Sequence, residues 1–149
     1  MKPIMIILCG LPGAGKSTFK NTFLSSYLSI SRDYLRYAYN ISPSEEIKIV
    51  GTKEQEELIT KVFNYEVDTA IKCEKSCVLD NMNNKKYRPD LIRPFKKAGY
   101  TIIGVNFKTP LEICKERRKD QISEEVMDKI ASNFHYIEQE EVDILYNIL

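Results

Sequence analysis

The chain contains no tryptophan and one histidine, and it has only six glycines and six prolines among its 149 residues. A single His leaves too few imidazole ligands for a His-built metal centre. The four cysteines (Cys9, Cys73, Cys77, Cys114) show no Cys-x-x-Cys spacing, so zinc is not expected and a reduced, cytoplasmic compartment is. A Cys–His hydrolase would need His135, which lies far from any nucleophile-like turn. An excess of one charge is also missing. Lys and Arg number 22 against 21 Asp and Glu, a net charge of +1, so nucleic acid is not gathered by a global field and its binding needs a local patch. No apolar run reaches the roughly 18 residues of a membrane span. The N-terminal stretch is too short for a secretory signal, so no membrane partner is expected. Repeats, low-complexity tracts and Pro/Gly-rich linkers are absent, and the expectation is one domain over residues 1–149.

The few glycines are not scattered, because three of them stand at positions 10, 13 and 15. Residues 10–17 read Gly-Leu-Pro-Gly-Ala-Gly-Lys-Ser, a complete G-x-x-x-x-G-K-[ST] phosphate-binding loop. The run Ile4-Met5-Ile6-Ile7-Leu8-Cys9 before it is continuously apolar, as a strand buried on both faces should be. After it, Phe19 and Phe23 fall four apart on one face of a helix. Such a loop aims backbone N–H groups and a helix N-terminus at one anion. Gly10, Pro12, Gly13, Ala14, Gly15, Lys16, Ser17 and Thr18 would hold a nucleotide through its phosphates. Within that set, Lys16 would reach the β- and γ-phosphates and the Ser17 hydroxyl would ligate Mg²⁺.

The rest of the chain alternates between strand and helix. Strands are expected at 4–9, 28–31, 76–79, 100–107 and 142–146, and helices at 16–28, 33–39, 53–73, 85–98, 110–119 and from Ser123 onward. Thr52 and Gln55 form an S/T-x-x-E/Q capping box, and Ser123 caps a helix with Glu124 and Glu125 in its first turn. Ile59, Phe63, Val67 and Ala70 form a core-facing stripe. Residues 134–149 fit either an edge strand or a helix. With the phosphate loop, this order predicts an α/β P-loop NTPase fold: a doubly wound parallel sheet of four to five strands with helices on both faces. Ligands of such sheets sit at the carboxyl ends of the strands, where the loop, Asp33 and Asp80 fall.

Two further constellations carry chemistry. Asp80 ends the apolar run Val78-Leu79, where P-loop proteins place an acid for Mg²⁺ or its water shell; capping of a turn with Asn81 is the alternative. Asp33 and Arg36 share a helical face three residues apart. They make either a proton acceptor beside a phosphate-gripping guanidinium or a surface ion pair.

The loop Gly10–Thr18, Ser31-Arg32-Asp33-x-x-Arg36, Asp80-Asn81-Met82-Asn83 and Pro110…Cys114-x-x-Arg117 occur in an order and spacing that resemble the polynucleotide 5′-hydroxyl kinases of the bacteriophage type. These belong to a wider group of small P-loop kinases that includes zeta-toxin-like enzymes, and the resemblance covers about residues 3–135. It implies that Asp33 is the general base for the acceptor hydroxyl and that Arg36 grips the acceptor phosphate. It further implies that Asn81 and Arg88 contact substrate or nucleotide and that Arg117 belongs to a helical lid over the ATP phosphates. One departure is that the second lid arginine, four residues after the first, is Gln121, and neither Arg118 nor Lys119 shares the helical face of Arg117. The other is that no phosphatase Asp-x-Asp motif is present, so only the kinase half is expected.

Basic residues cluster at Lys85, Lys86, Arg88, Arg93, Lys96 and Lys97, and again at Lys115, Arg117, Arg118 and Lys119. They suit either a nucleic-acid backbone or a solvated helix face. Tyr34, Tyr37 and Tyr39 fit either base stacking or packing. The resulting expectation is transfer of the γ-phosphate of ATP to the 5′-hydroxyl of a DNA or RNA end. The alternatives are a kinase of a small-molecule hydroxyl (nucleoside, sugar, nucleotide-sugar or antibiotic) and a non-catalytic nucleotide-binding module.

Overall fold

The apolar N-terminal run forms β1 (Ile4–Cys9), and its alternating residues supply two cores at once. Met5, Ile7 and Cys9 join one buried cluster, while Ile6 and Leu8 join the other. A strand buried on both faces needs helices on both, and the chain supplies them. The computed structural model describes residues 2–45, 48–80 and 84–149. After β1 come α1 (Lys16–Phe23), β2 (Leu28–Ile30), α2 (Arg32–Ala38), α3 (Lys53–Lys72), β3 (Cys77–Leu79) and α4 (Arg88–Lys97). Then follow β4 (Thr101–Phe107), α5 (Leu111–Arg118), α6 (Glu124–Ser132), a 3₁₀ turn at Gln139–Glu141 and β5 (Ile144–Ile148). The sheet has five strands in the order β2-β3-β1-β4-β5, every pair parallel. This is the α/β fold of P-loop NTPases. No helix among the described residues is long and apolar enough to cross a membrane.

The topology places the site. The chain leaves β1 toward β2 but leaves β3 toward β4, so connections depart in opposite directions from two adjacent strands. A crevice opens at that switch, outside the strands' carboxyl ends. The cluster with Ile59, Phe63, Ile92 and Phe95 backs the sheet with α3 and α4. The cluster with Phe19, Cys114 and Met127 backs it with α1, α5 and α6. In α3 the buried residues are Ile59, Phe63, Val67 and Ala70, and both hydrogen bonds of the Thr52–Gln55 capping box are made.

Some element bounds differ from the sequence reading. Helix α1 stops at Phe23 instead of continuing to residue 28. The weak helix formers Ser25 and Ser26 come next, Tyr27 N–H turns back to Leu24 O at 3.0 Å, and Leu28 N–H already bonds Ser76 O at 3.2 Å. Helix α4 starts at Arg88 instead of 85, which puts Pro89 in the first turn, where its missing N–H costs nothing. The C-terminal segment is a parallel edge strand, two residues later than 142–146. Asn106 selects it: its Nδ2 donates to Ile137 O at 2.9 Å and Asn147 Oδ1 at 3.1 Å, and its Oδ1 accepts from Ile137 N–H at 2.9 Å. A helix would leave that buried amide without those partners.

Candidate phosphate-loop site

The N-terminus of α1 is built without a cap of its own. Its N-cap is Gly15 in the left-handed region (φ 105°), and no acidic residue stands in its first turn. Each of the other described α-helices has one. The first N–H groups of a helix have no intrahelical partners, so this end is left for an external anion. Gly13 also has positive φ (84°), and a Cβ there would stand 3.1 Å from Cys114 O and from Arg118 Cγ. The loop is thus pressed against α5, and Thr109 Oγ1 ties it further by donating to Ala14 O at 2.8 Å. Lys16 Nζ donates to Gly10 O at 2.6 Å. Burial pushes the Lys16 ammonium below its ordinary pKa, with the charge of Asp80 opposing that shift. Gly10 is buried, and a Cβ there would lie 3.0 Å from Phe107 Cβ, so it packs under the loop instead of lining the cleft.

The loop opens onto a cleft of about 1740 Å³. One ligand typically needs roughly 300–1,000 Å³, so two substrates fit side by side. Pro12, Gly13, Ala14, Gly15, Ser17 and Thr18 all line it, as do Lys16, Asp33, Arg36, Asp80 and Arg117. On the wall away from the loop, Ser31 Oγ caps α2 by accepting from Tyr34 N–H at 3.2 Å, which orients Asp33 and Arg36 in the first turns. Arg36 Nη1 donates to Asp33 Oδ1 at 2.8 Å. Its Nε and Nη2 donate to the Glu56 carboxylate at 3.0 and 2.6 Å. Three of five guanidinium N–H groups are so used, and two remain. The Arg36 hydrogen bonds hold the Glu56 carboxyl down to about 2 against the opposing effect of burial; the Gly51 N–H assists.

Asp80, at the end of β3, is paired with Lys20 of α1 at 3.2 Å. Among the described residues no group of three or more His, Cys, Asp and Glu side chains forms a metal cage. One hydroxyl (Ser17) and one carboxylate (Asp80) still suit Mg²⁺, which keeps waters and takes phosphate oxygens as further ligands. These residues fit the ion only together with a polyphosphate.

The lid side departs from the sequence reading. Arg117 Nη1 donates to Gly13 O at 2.9 Å, and Arg118 Nη1 donates to Gln121 Oε1 at 2.8 Å. Helix α5 ends at Arg118, so helical-face spacing does not extend to Gln121, and both arginines line the cleft with it. Arg88 is a correction. Its side chain has no exposed surface and is committed to Glu141 (2.9 Å), His135 O (2.8 Å) and Tyr136 O (3.2 Å), so it is a structural tie and not a substrate contact. The physical reason is its place at the first position of α4, which faces the core cluster instead of the crevice. Asn81 lies outside the described residues.

The first basic cluster does not border the loop either. Lys85 pairs with Glu138, Arg93 with Asp90, and Arg93, Lys96 and Lys97 line a separate hollow with Glu140 and Glu141. In the second cluster, Lys115 pairs with Asp128 of α6 at 2.7 Å and Lys119 with Glu116 at 2.8 Å. Tyr34, Tyr37 and Tyr39 are exposed but do not line the cleft. The sequence reading missed two residues. Lys20 had a signal, since it stands one turn beyond Lys16; Glu56 had none in spacing, because only the packing of α3 on α2 brings it to Arg36.

Comparison with known proteins agrees with this fold. The L-seryl-tRNA(Sec) kinase of Methanococcus maripaludis is 29% identical over 136 residues, covering 88% of this chain and 52% of that protein. The chain thus spans about half the length of that curated relative. Among solved structures, a chain of the Pnkp1/Rnl/Hen1 RNA repair complex superposes with a TM-score of 0.74 at 22% identity, over 88% of this chain and 43% of that one. A gluconokinase from Sinorhizobium meliloti 1021 superposes with a TM-score of 0.59 at 16% identity, over 98% and 82%. These solved structures share the fold of small P-loop kinases. The family model described as AAA domain matches residues 5–135, and with the phosphate loop at the head of that span the chain belongs to this family.

Proposed function

We propose that the protein transfers the γ-phosphate of ATP to a hydroxyl group, and that the acceptor is the 5′-hydroxyl of a polynucleotide end. The observation that carries this reading is the far wall of the cleft. There a carboxylate and an arginine 2.8 Å apart face the same space as the phosphate loop, with Glu56 fixing the arginine from behind. The loop residues Gly13–Thr18 hold the donor phosphates at the N-terminus of α1. Lys16 leaves Gly10 O to meet the β- and γ-phosphates. Asp33 accepts the proton of the acceptor hydroxyl as its oxygen bonds the γ-phosphorus and the bond to the β-bridging oxygen breaks, releasing ADP. The two remaining N–H groups of Arg36 grip the phosphate next to that hydroxyl, which orients the nucleophile in line. Arg117, reaching over the loop to Gly13, adds positive charge where negative charge spreads in transfer. Ser17 and Asp80 are the residues that hold Mg²⁺, which when bound neutralises charge on the β- and γ-phosphates.

The relatives support the general class: one is named for a kinase of seryl-tRNA, another belongs to an RNA repair complex. The test is transfer from γ-labelled ATP to a 5′-hydroxyl oligonucleotide beside its 5′-phosphorylated twin. Label on the first alone, abolished by Asp33→Asn with ATP binding retained, supports the assignment. Normal turnover by Asp33→Asn refutes the general base. One observation favours a second reading, a small-molecule hydroxyl acceptor: the lysine-rich flank of α4 borders a separate hollow. ADP release stimulated by a sugar or nucleoside and not by oligonucleotides supports that reading.

A further inference from the structure

Lys20 is not part of the phosphate-loop motif, yet it is built into the site. It stands one helical turn beyond Lys16 on α1, and its ammonium lies 3.2 Å from Asp80 Oδ2 and 3.3 Å from Ser29 Oγ. Both partners of the ion pair are largely covered, with the Lys20 side chain 17% and the Asp80 side chain 7% exposed. A carboxylate so withdrawn from water is costly unless a cation stays beside it. The metal is a poor permanent companion. Ser17 and Asp80 offer too few ligands to retain Mg²⁺ without phosphate oxygens, and no cage of three acidic or thiol or imidazole groups exists among the described residues. Each time a nucleotide departs, the metal's charge leaves the carboxylate with it. Lys16 is also near enough to feel Asp80 but donates to Gly10 O, while Lys20 makes the direct 3.2 Å ion pair. The flexible four-carbon stem of lysine can deliver a charge and withdraw it, and the Ser29 hydroxyl of β2 gives the ammonium a second partner.

We propose that Lys20 is a stand-in cation at the metal position. It neutralises Asp80 while no metal–nucleotide complex is bound, yields the carboxylate when one arrives, and lowers further the already weak affinity of the nucleotide-free site for divalent ions. The inference rests on the reading of the cleft as a metal–nucleotide site, but it concerns ion binding and not transfer. Its consequence is that the nucleotide-free protein takes up free divalent ions more poorly than Ser17 and Asp80 alone would.

The experiment is a Mn²⁺ titration of the nucleotide-free protein, with free Mn²⁺ read from its electron paramagnetic resonance signal. Lys20→Met keeps most of the length and removes the charge, and the expected result is Mn²⁺ binding at least about tenfold tighter than in the unaltered protein, equivalent to about 1.4 kcal/mol. Lys20→Arg keeps the affinity low, and adding Asp80→Asn to Lys20→Met removes the gain. Lys20→Gln replaces Lys20→Met if the latter fails to give the native melting transition. Unchanged or weaker Mn²⁺ binding by the neutral variant overturns the proposal, as does a gain that survives Asp80→Asn. Binding of a fluorescent ATP analogue, and its loss in Lys16→Ala, is followed separately. If the analogue fails to bind, the nucleotide reading of the loop fails; if it binds and the Mn²⁺ affinities do not differ, only the role of Lys20 fails.

Discussion

Replacing Arg88 separates two incompatible roles for this residue. The guanidinium donates to both oxygens of Glu141 at 2.9 and 3.3 Å and to the carbonyls of His135 and Tyr136 at 2.8 and 3.2 Å, and it lies 3.9 Å from Cys9 Sγ. It therefore clamps the start of α4 to the segment leading into β5, directly beneath the strand that carries the phosphate loop. Arg88→Ala takes the cation from the Glu141 carboxylate, which is 13% exposed and keeps the Glu138 N–H at 2.7 Å, and takes a donor from each of two carbonyls. Removing one partner of a buried pair costs about 3–5 kcal/mol, a large part of the roughly 5–15 kcal/mol available to a domain. At about 2–4 °C per kcal/mol for a chain of this size, the melting temperature falls by roughly 6–20 °C. Arg88→Lys keeps one charge but not the fork and falls in between. The assay is thermal and urea unfolding, with Glu141→Gln and the double variant completing a cycle. If Arg88 and Glu141 act as a pair, the double variant loses less than the sum of the singles by about 0.5–3 kcal/mol. An Arg88→Ala protein that melts within about 2 °C of the parent yet shows a raised acceptor KM refutes the structural assignment and restores substrate contact.

The other predictions concern neighbouring contacts. Glu56→Gln keeps the shape but halves the charge holding Arg36, and the expected result is an acceptor KM raised about tenfold with ATP binding unchanged, checked by steady-state kinetics with each substrate varied. Arg36→Ala gives the same signature more strongly; equal effects on the two substrates count against an acceptor-side role. The Glu56 carboxyl, held at about 2 by Arg36 in the folded state against 4.5 unperturbed, and the Glu141 carboxyl, also lowered, stabilise the fold fully above the unperturbed value. That stability drains as pH falls from about 4.5 toward 2, visible as a declining urea midpoint that flattens in Glu56→Gln. Arg118→Ala is expected to weaken ATP analogue binding by about tenfold to a hundredfold, as loss of one charge-assisted phosphate contact does. An unchanged affinity would mean that Arg118 serves Gln121 and the turn after α5 alone.

The sequence made the scaffold legible where local chemistry and global packing agree. The unbroken apolar run 4–9, the glycines of the loop and the Thr52–Gln55 box each dictate one local conformation, and each is found. The carboxylate–arginine pair of α2 was visible as an i,i+3 spacing, and the structure joins it at 2.8 Å. What remained hidden depends on contacts between distant segments. Glu56 meets Arg36 across 20 residues, and Arg88 meets Glu141 across 53, so neither partnership leaves a local pattern. The arginine spacing after Pro110 misled for a related reason: it assumes a continuous helix, whereas α5 ends at Arg118 and the next turn brings Arg118 and Gln121 together.

The strand order also sets the timetable of folding. β1 lies between β3 and β4, so its partners are made long after it: Met5 pairs with Cys77, and Cys9, the residue before the loop, pairs with Asn106. At roughly 5–20 residues per second of synthesis, the nascent β1 waits several seconds with its apolar edges unpaired. Contacts of such high sequence separation close slowly even in the finished chain. The phosphate loop leaves the ribosome before the two strands that flank its own, and it acquires a fixed shape only after they arrive. A nascent chain arrested before β4 is therefore a client for chaperones, with no nucleotide to steady it.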